Sequence, residues 1–267
     1  MENLARQAAE NLAKIREKQP LIHNITNFVV MNSTANALLA CGASPVMAHA
    51  AEEVEEMVSF AGALVLNIGT LTPVWLEAML LAAKKARALG VPSLLDPVGS
   101  GATLLRTRAS RRILAEAGVN VVRGNASEVL SLTDQAGRTK GVDAAHTVDQ
   151  AAAAGQNLAL AIATPVAITG PVDLITDGRR TLRVANGHAL MAKVTGTGCL
   201  ASAIIGAFLA VEPDPLLATA GALAYVGLAG ERAAAVSPGP GSLAMHMLDA
   251  LYTLTPEELA RGAQITA

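Results

Sequence analysis

Residues 194–203 combine a glycine turn, a cysteine and an apolar run. Gly196 and Gly198 come directly before the run, and Cys199 lies at its start. Glycines at such a position let the backbone turn its N–H groups toward a ligand, and the start of a helix adds partial positive charge. The segment therefore predicts an anion-binding turn. Taken alone, an ordinary tight turn into a buried helix explains it equally well.

Cys199, next to the glycine turn, is a candidate catalytic residue. A thiol on the first turn of a helix is expected to have its pKa lowered by the helix dipole, which raises the thiolate fraction. The alternative is a small buried apolar side chain, the commoner role of a free cysteine. The neighbouring glycines favour the functional interpretation. The other cysteine, Cys41, lies far away in sequence, so the pair has neither disulfide-framework nor metal-site spacing.

Two further polar side chains come directly after apolar runs. Asp96 follows residues 92–95 and precedes a glycine-containing loop, where a carboxylate suits a cation–phosphate site. It could instead cap the turn. Thr169 follows residues 165–168. It could give a hydroxyl to a phosphate, or it could merely end a strand.

Residues 123–128 (Arg-Gly-Asn-Ala-Ser-Glu) follow the apolar run 119–122. Arg123 could reach a phosphate, and Glu128 could hold magnesium through water. Asn125 and Glu128 also have the spacing of a capping box, and on that reading the pair would only start the next helix. The motif alone does not decide between the two readings.

These groups meet only if the apolar runs are strands of one sheet. The runs lie at residues 45–47, 63–68, 92–95, 119–122 and 165–168. Helical patterns precede or separate them, at about 3–18, 31–40, 51–60, 73–88, 107–117 and 148–163. Strands that are apolar at successive positions and are separated by helices predict a parallel sheet covered on both faces. Ligands of such sheets bind beyond the carboxyl ends of the strands.

The remaining segments complete an α/β fold in one domain, residues 1–267. Asp177-Gly178 between two alternating runs predicts a β-hairpin over 172–188, and hence an antiparallel edge on a mostly parallel central sheet. The C-terminal third is mostly helical in pattern. A loop expected at 133–147 is too short to separate two domains.

These four segments together supply an anion site, two carboxylates, an arginine and a hydroxyl. This set is typical of magnesium-dependent phosphoryl transfer, in which positioning and charge neutralisation provide most of the catalysis. Gly198 and Cys199 are then the catalytic positions. Their backbone N–H groups would take up the charge that develops on the transferred phosphoryl group.

Composition excludes several other classes of protein. Hydrophobic residues make up 52% of the 267, formal net charge is −2, and the aromatic residues are one Trp, two Tyr and three Phe. With no basic run and few stacking aromatics, the chain is not expected to bind nucleic acid. The longest apolar runs, 200–211 and 215–230, fall short of the ~18–20 residues of a membrane span. The first six residues include Glu2, Asn3 and Arg6 and carry no apolar signal-peptide segment, so we expect a cytoplasmic protein.

The chain resembles a known family along nearly its whole length. Residues 125–128 (Asn-Ala-Ser-Glu) resemble the Asn-x-x-Glu motif of the ribokinase-like superfamily. Residues 196–199 (Gly-Thr-Gly-Cys) resemble its Gly-x-Gly-Asp anion site, with Cys in place of the catalytic Asp, which is typical of hydroxyethylthiazole kinases. Further matching segments are 22–27, 45–48, 67–70 and 96–99. The resemblance implies a ribokinase-like fold and thiamin-salvage chemistry, the ATP- and Mg²⁺-dependent phosphorylation of a thiazole alcohol.

On the acceptor side, the resemblance implies four substrate-binding positions. Met47 and Gly196 would contact the thiazole, with Asn24 and Gly69 nearby. Members of the family form trimers whose substrate pockets lie between subunits, which implies a homotrimer here.

On the nucleotide side, the resemblance implies that Arg123 and Thr169 bind ATP. Asp96 and Glu128 would organise Mg²⁺ and the phosphates, and Cys199 would lie at the substrate hydroxyl. Two alternatives stay open. One is another ribokinase-like alcohol kinase, acting on hydroxymethylpyrimidine or pyridoxal. The other is a non-catalytic protein that binds a nucleotide or a thiazole.

Overall fold

A nine-stranded sheet runs through the computed structural model, which describes residues 2–133 and 147–267. The spatial strand order is β2-β1-β3-β4-β5-β6-β7-β8-β9. The strands are β1 Leu21–Ile25, β2 Ser44–Val46, β3 Ala63–Asn67, β4 Ser93–Asp96, β5 Val121–Asn125, β6 Val166–Thr169, β7 Asp173–Thr176, β8 Thr181–Val184 and β9 Ile265–Thr266. The loop predicted at 133–147 lies, apart from its end residues, outside the described residues.

Helices connect the strands and fill the C-terminal third of the chain. They are α1 Glu2–Lys18, α2 Met31–Cys41, α3 Val54–Phe60, α4 Pro73–Leu89, α5 Leu104–Glu116, α6 Ala126–Leu132, α7 Val148–Ile162, α8 Thr197–Leu209, α9 Pro215–Ala235, α10 Pro240–Thr253 and α11 Pro256–Gly262. A 3₁₀ helix, Ala189–Lys193, precedes α8. Each predicted strand and helix is present, with ends that differ by a few residues.

The type of strand pairing changes once across the sheet. The pairs from β2 through β6 are parallel, and the pairs β6–β7, β7–β8 and β8–β9 are antiparallel. The predicted Asp-Gly hairpin joins β7 to β8, and Gly178 has a φ of 87°, a left-handed conformation that glycine adopts without a steric penalty. The predicted mostly parallel sheet with an antiparallel edge is confirmed. The short strand β9 was not predicted.

The parallel strands are buried on both faces because helices cover both sides of the sheet, and successive side chains point to opposite sides. In β3, Leu64 and Leu66 pack with α3, α4 and α5, whereas Val65 packs with α8 and its neighbours. Helix α8 lies very close to the sheet: a Cβ on Gly206 would come within 2.6 Å of Val65 Cγ2. This close packing fixes the N-terminus of α8 over the carboxyl edge of the strands.

No helix in residues 2–133 or 147–267 combines the length and the apolar character that a membrane crossing requires. The apolar runs at 200–211 and 215–230 belong to α8 and α9, most of whose side chains are buried in the core.

Candidate active site

Four adjacent strands of the sheet each end in a polar residue. Asn67 ends β3, Asp96 ends β4, Asn125 ends β5 and Thr169 ends β6. Parallel strands bring their carboxyl ends to one edge, and the register pairs Asn67 with Asp96 and Asn125 with Thr169. The groups predicted to converge at the strand ends therefore do so.

Arg123 connects this edge to the glycine turn of α8. Its Nη2 donates a hydrogen bond to Thr169 Oγ1 at 2.6 Å, and its Nη1 lies 3.7 Å from Asp96 Oδ2. A Cβ on Gly198 would lie only 2.7 Å from Arg123 Nη1. The backbone of the turn thus packs directly against the guanidinium, which explains the need for glycine at this position.

Gly196 is the N-cap of α8 and needs glycine for two reasons. Its φ of 84° is left-handed, and a Cβ would lie 2.6 Å from Val30 Cγ1. The first N–H groups of a helix have no partner within the helix. Together with the positive end of the helix dipole, these groups make the turn suitable for an anion.

Asp96 is held by two donors on one of its oxygens. Oδ2 accepts hydrogen bonds from Asn67 Nδ2 at 2.9 Å and from Ser202 Oγ at 2.8 Å. Oδ1 is buried and has no hydrogen-bond partner in the described part of the chain. Burial raises the pKa of Asp96 to about 6, against the opposing effect of the Arg123 charge. The unpartnered oxygen is therefore the one available to a ligand.

Glu128 does form the capping box that its spacing allows. Asn125 Oδ1 accepts from Glu128 N at 2.9 Å, and Glu128 Oε2 accepts from Asn125 N at 2.8 Å. The other carboxylate oxygen accepts from Gly99 N at 2.9 Å and so ties α6 to the loop after β4. The carboxylate lies close enough to Asp96 to raise its pKa. The structure thus shows the capping role of Glu128, and these hydrogen bonds hold its carboxylate at the same edge of the sheet as Asp96.

The expected lowering of the Cys199 pKa is wrong. Burial of the thiol, followed by the nearby negative charge of Asp96, raises its pKa to about 11. Asn27 Nδ2 approaches Cys199 Sγ at 3.6 Å, and this contact only partly opposes the shift. From the sequence, only the effect of the helix dipole on the thiol pKa could be anticipated. In the folded protein, burial of the thiol determines the direction of the shift. The thiol is protonated at neutral pH.

Two asparagines that were not predicted as site residues link Cys199 to Asp96. Asn27 Nδ2 donates to Asn67 Oδ1 at 2.8 Å, and Asn67 Nδ2 in turn donates to Asp96. Gly69 N also donates to Asn67 Oδ1, which fixes the orientation of that amide. A Cβ on Gly69 would lie 2.5 Å from Asn27 Nδ2. In the sequence, both asparagines lie in segments that resemble the family, 22–27 and 67–70, but no role was predicted for either.

The predicted acceptor-side residues are brought together only in part. Gly69 packs against Asn27 and thereby reaches the site. Asn24 is 1% exposed, and its Nδ2 donates to Ile22 O of its own strand. Met47 is half-buried after β2, and its carbonyl contacts His49 Nδ1 at 3.2 Å. Within the described ranges, neither Asn24 nor Met47 is joined by a hydrogen bond to the linked group Asp96, Asn67, Asn27 and Cys199.

An aromatic group lies beside this acceptor side. The Phe28 and Trp75 rings have centroids 4.8 Å apart, and His49 meets Trp75 edge-on at 4.9 Å. Phe28 directly follows Asn27 and is 65% exposed. The few aromatic residues of the chain are thus partly concentrated next to Met47, which composition alone did not indicate.

A cavity of about 460 Å³ opens on the opposite side of the α8 turn. Arg123, Thr169 and Gly198 line its floor, together with residues of the β6–β7 connection, the 3₁₀ helix and α9. The lining of the cavity includes the Arg123 guanidinium and the backbone N–H groups of the α8 turn, and it also includes the apolar side chains of Leu223 and Val226. Such a cavity suits a phosphate-bearing ligand with a less polar remainder.

A model of the hydroxyethylthiazole kinase family matches residues 12–257. The chain belongs to the hydroxyethylthiazole kinase family. Within that family, the hydroxyethylthiazole kinase of Desulfotalea psychrophila is 59% identical over 265 residues, which are 99% of this chain and 97% of the relative.

Solved structures agree with this membership of the hydroxyethylthiazole kinase family. A hydroxyethylthiazole kinase protein from Pyrococcus horikoshii OT3 superposes with a TM-score of 0.90 at 47% identity, covering 97% of this chain and 98% of that one. A ribokinase-like superfamily protein from Enterococcus faecalis has a TM-score of 0.66 at 12% identity and covers 96% of this chain and 95% of its own. The latter shows the fold alone. The predicted ribokinase-like fold is confirmed.

In this member of the hydroxyethylthiazole kinase family, the described residues contain no group of three or more His, Cys, Asp or Glu side chains that could hold a metal ion. Asp96 and Glu128 alone provide two carboxylates. Mg²⁺ usually keeps several waters and is bound by one or two carboxylates plus substrate phosphates. The unpartnered Asp96 Oδ1 fits such a site.

Proposed function

We propose that this protein transfers the γ-phosphoryl group of ATP to the primary alcohol of 4-methyl-5-(2-hydroxyethyl)thiazole, a step of thiamin salvage. One observation carries the proposal: Arg123, Asp96 and the N-terminal turn of α8 meet at a single edge of the sheet. Family membership supports the choice of substrate, since the relatives are named for this alcohol.

ATP would lie in the 460 Å³ cavity with its phosphates toward the α8 turn. Arg123, held by Thr169, would pair with the phosphates, and the N–H groups of residues 196–199 would stabilise the charge that develops on the γ-phosphoryl oxygens. Gly198 lets the backbone and the guanidinium face the same oxygens because no side chain separates them.

Mg²⁺ would be held by Asp96 Oδ1, with Glu128 at the same edge. It would neutralise phosphate charge when bound. The protein's own contribution is the orientation of the carboxylate. Because Asn67 and Ser202 both donate to Oδ2, the Asp96 side chain is fixed with Oδ1 available.

The acceptor alcohol would approach from the side of Cys199, Asn27 and the Phe28 ring. A thiol whose pKa is about 11 is a poor base at neutral pH. In a loose phosphoryl-transfer transition state little charge builds on the attacking oxygen early, so proton removal can be late. Cys199 therefore shapes the end of the anion turn and borders the attacking hydroxyl, and deprotonation by the thiolate is not required.

The acceptor pocket would be completed by a second subunit of a homotrimer. Phe28 and Val29 are 65% and 64% exposed beside the predicted acceptor residues, and an apolar surface of this kind suits a subunit contact. We also propose that the chain acts as one kinase domain, because a single continuous sheet and the helices that follow its strands position the predicted site residues. The cytoplasmic location stays a prediction.

The proposal is tested by coupling ADP formation to a spectroscopic signal with Mg²⁺, ATP and one alcohol at a time. Turnover with hydroxyethylthiazole at least tenfold above that with hydroxymethylpyrimidine or pyridoxal is expected. The opposite order would reassign the enzyme to another alcohol kinase. Tight nucleotide binding with no alcohol-dependent ADP would indicate the non-catalytic alternative. Phosphorylated thiazole identified by mass spectrometry completes the test.

A further inference from the structure

Asp173 places a carboxylate inside the proposed nucleotide cavity. Neither the proposed phosphate contacts nor the proposed acceptor site assigns this carboxylate a role. Among the described residues that line the cavity, it is the only acidic one. It begins β7, next to Thr169 at the end of β6, and is 8% exposed. A carboxylate in a cavity that receives a polyphosphate would repel the phosphate charges, so it is favourable only if it faces a different part of the ligand.

The local fold uses only one of its two oxygens. Oδ1 accepts a hydrogen bond from Gly170 N at 2.9 Å and thereby closes the β6–β7 connection. Oδ2 has no hydrogen-bond partner in the described part of the chain. Burial raises the pKa of Asp173 to about 6, so the ionised carboxylate carries a desolvation cost that an asparagine in the same turn would avoid.

The position of Asp173 along the sheet edge indicates which part of a nucleotide it meets. Arg123, Thr169 and Asp173 lie on the successive strands β5, β6 and β7. Neighbouring strands are about 4.8 Å apart, so Asp173 lies one strand beyond Thr169, to which the Arg123 guanidinium is bonded. The Arg123 charge still acts on Asp173, so the ligand group that meets Asp173 is the one that follows the phosphates held by the guanidinium, and in a nucleotide that group is the sugar.

We propose that Asp173 accepts a hydrogen bond from a ribose hydroxyl of the bound nucleotide and so makes the site selective for ribonucleotides. Carboxylates commonly bind ribose hydroxyls in this way in other nucleotide-binding folds. The inference rests on the proposed nucleotide site, and it adds a sugar subsite between the phosphate contacts of Arg123 and the apolar walls formed by Leu223 and Val226.

The test measures nucleotide binding by calorimetry and needs no acceptor alcohol, so it stays informative even if the thiazole assignment fails. ADP, 2′-deoxy-ADP and 3′-deoxy-ADP are titrated into the wild-type protein and into Asp173→Asn and Asp173→Ala. A hydrogen bond to a charged group predicts that at least one deoxynucleotide binds the wild type about 10- to 100-fold more weakly than ADP. Asp173→Ala should reduce that ratio to less than about threefold.

Two variants separate recognition from folding. Asp173→Asn keeps an oxygen for Gly170 N and is expected to fold and to bind ADP with reduced discrimination. Asp177→Asn is the matched control, because Asp177 also accepts backbone N–H bonds in a hairpin but lies outside the cavity, and its discrimination should equal that of the wild type. Equal binding of all three nucleotides by the wild type, or unchanged ratios in both Asp173 variants, would overturn the inference. A protein that bound none of them would overturn the nucleotide site as well.

Discussion

Replacing Gly198 with alanine is the smallest change that should separate Arg123 from the anion turn. The added Cβ would lie 2.7 Å from Arg123 Nη1 and 2.9 Å from Nη2, well inside the ~3.5–4.0 Å of van der Waals contact. Gly198 is not among the residues with a positive φ, so alanine fits its backbone conformation. The flexible guanidinium can move aside, and the free energy of unfolding should change by less than about 1 kcal/mol.

The displaced guanidinium would lose its 2.6 Å hydrogen bond to Thr169 and would no longer be oriented toward the phosphates. A hydrogen bond that involves a charged group contributes about 1.5–3 kcal/mol, which corresponds to a loss of about 10- to 150-fold in kcat/KM for ATP. The assay is steady-state kinetics with ATP varied at saturating thiazole, alongside urea denaturation.

Gly241→Ala provides the matched control, since Gly241 is also the second residue of a helix and has open space around its Cβ position. Its kinetics should equal those of the wild type. A Gly198→Ala enzyme with wild-type kcat/KM would refute the reasoning that this glycine exists to admit the guanidinium.

Four further outcomes are expected. Cys199→Ala should lose less than about 100-fold in kcat, the low end of general-base effects, and Cys199→Asp should keep substantial activity; a loss beyond ~10⁴-fold in both would point to covalent chemistry. Glu128→Ala should lower the free energy of unfolding, because it leaves two backbone N–H groups outside α6 without a partner. The expected loss, measured by urea denaturation, is about 1–3 kcal/mol for each N–H group, and Glu128→Gln should lose less. Asn67→Ala should lower kcat by about tenfold or more while KM for ATP stays within about threefold, and a change confined to KM would contradict its role in orienting Asp96. Because burial raises the pKa of Asp96 and Asp173 from 3.8 to about 6, the folded protein binds these protons more tightly, so the contribution of these two groups to the free energy of unfolding should fall as pH rises from about 4 to 6. Asp173→Asn should make that fall shallower, and an unchanged slope would contradict the assigned burial effect.

The order of elements could be predicted because each strand carries its own signal. The runs 63–68 and 92–95 are short and mostly apolar, which is not the pattern of a surface helix, and a helical pattern separates them. The carboxyl edge of a parallel sheet then places Asp96, Arg123 and Thr169 side by side without further information. The Asp177-Gly178 hairpin was similarly visible because its turn chemistry is local.

What the sequence did not reveal depends on burial and on contacts between distant segments. The Cys199 pKa was predicted in the wrong direction because the helix dipole is local, whereas the burial that dominates comes from the surrounding fold. Asn27 and Asn67 acquire their roles only through a hydrogen bond between residues 40 positions apart. Strand β9 is a two-residue pairing against β8, and its sequence has no pattern that distinguishes it from a loop.

The central claim is that one edge of the sheet and the α8 turn form a single triphosphate site. A crystal structure of the protein with Mg²⁺ and a non-hydrolysable ATP analogue tests it most directly. We expect the terminal phosphate within hydrogen-bond distance of the backbone N–H groups of residues 196–199 and of the Arg123 guanidinium, with the metal ion on Asp96 Oδ1. A nucleotide bound elsewhere, with Arg123 still paired only to Thr169 and Asp96, would contradict the account.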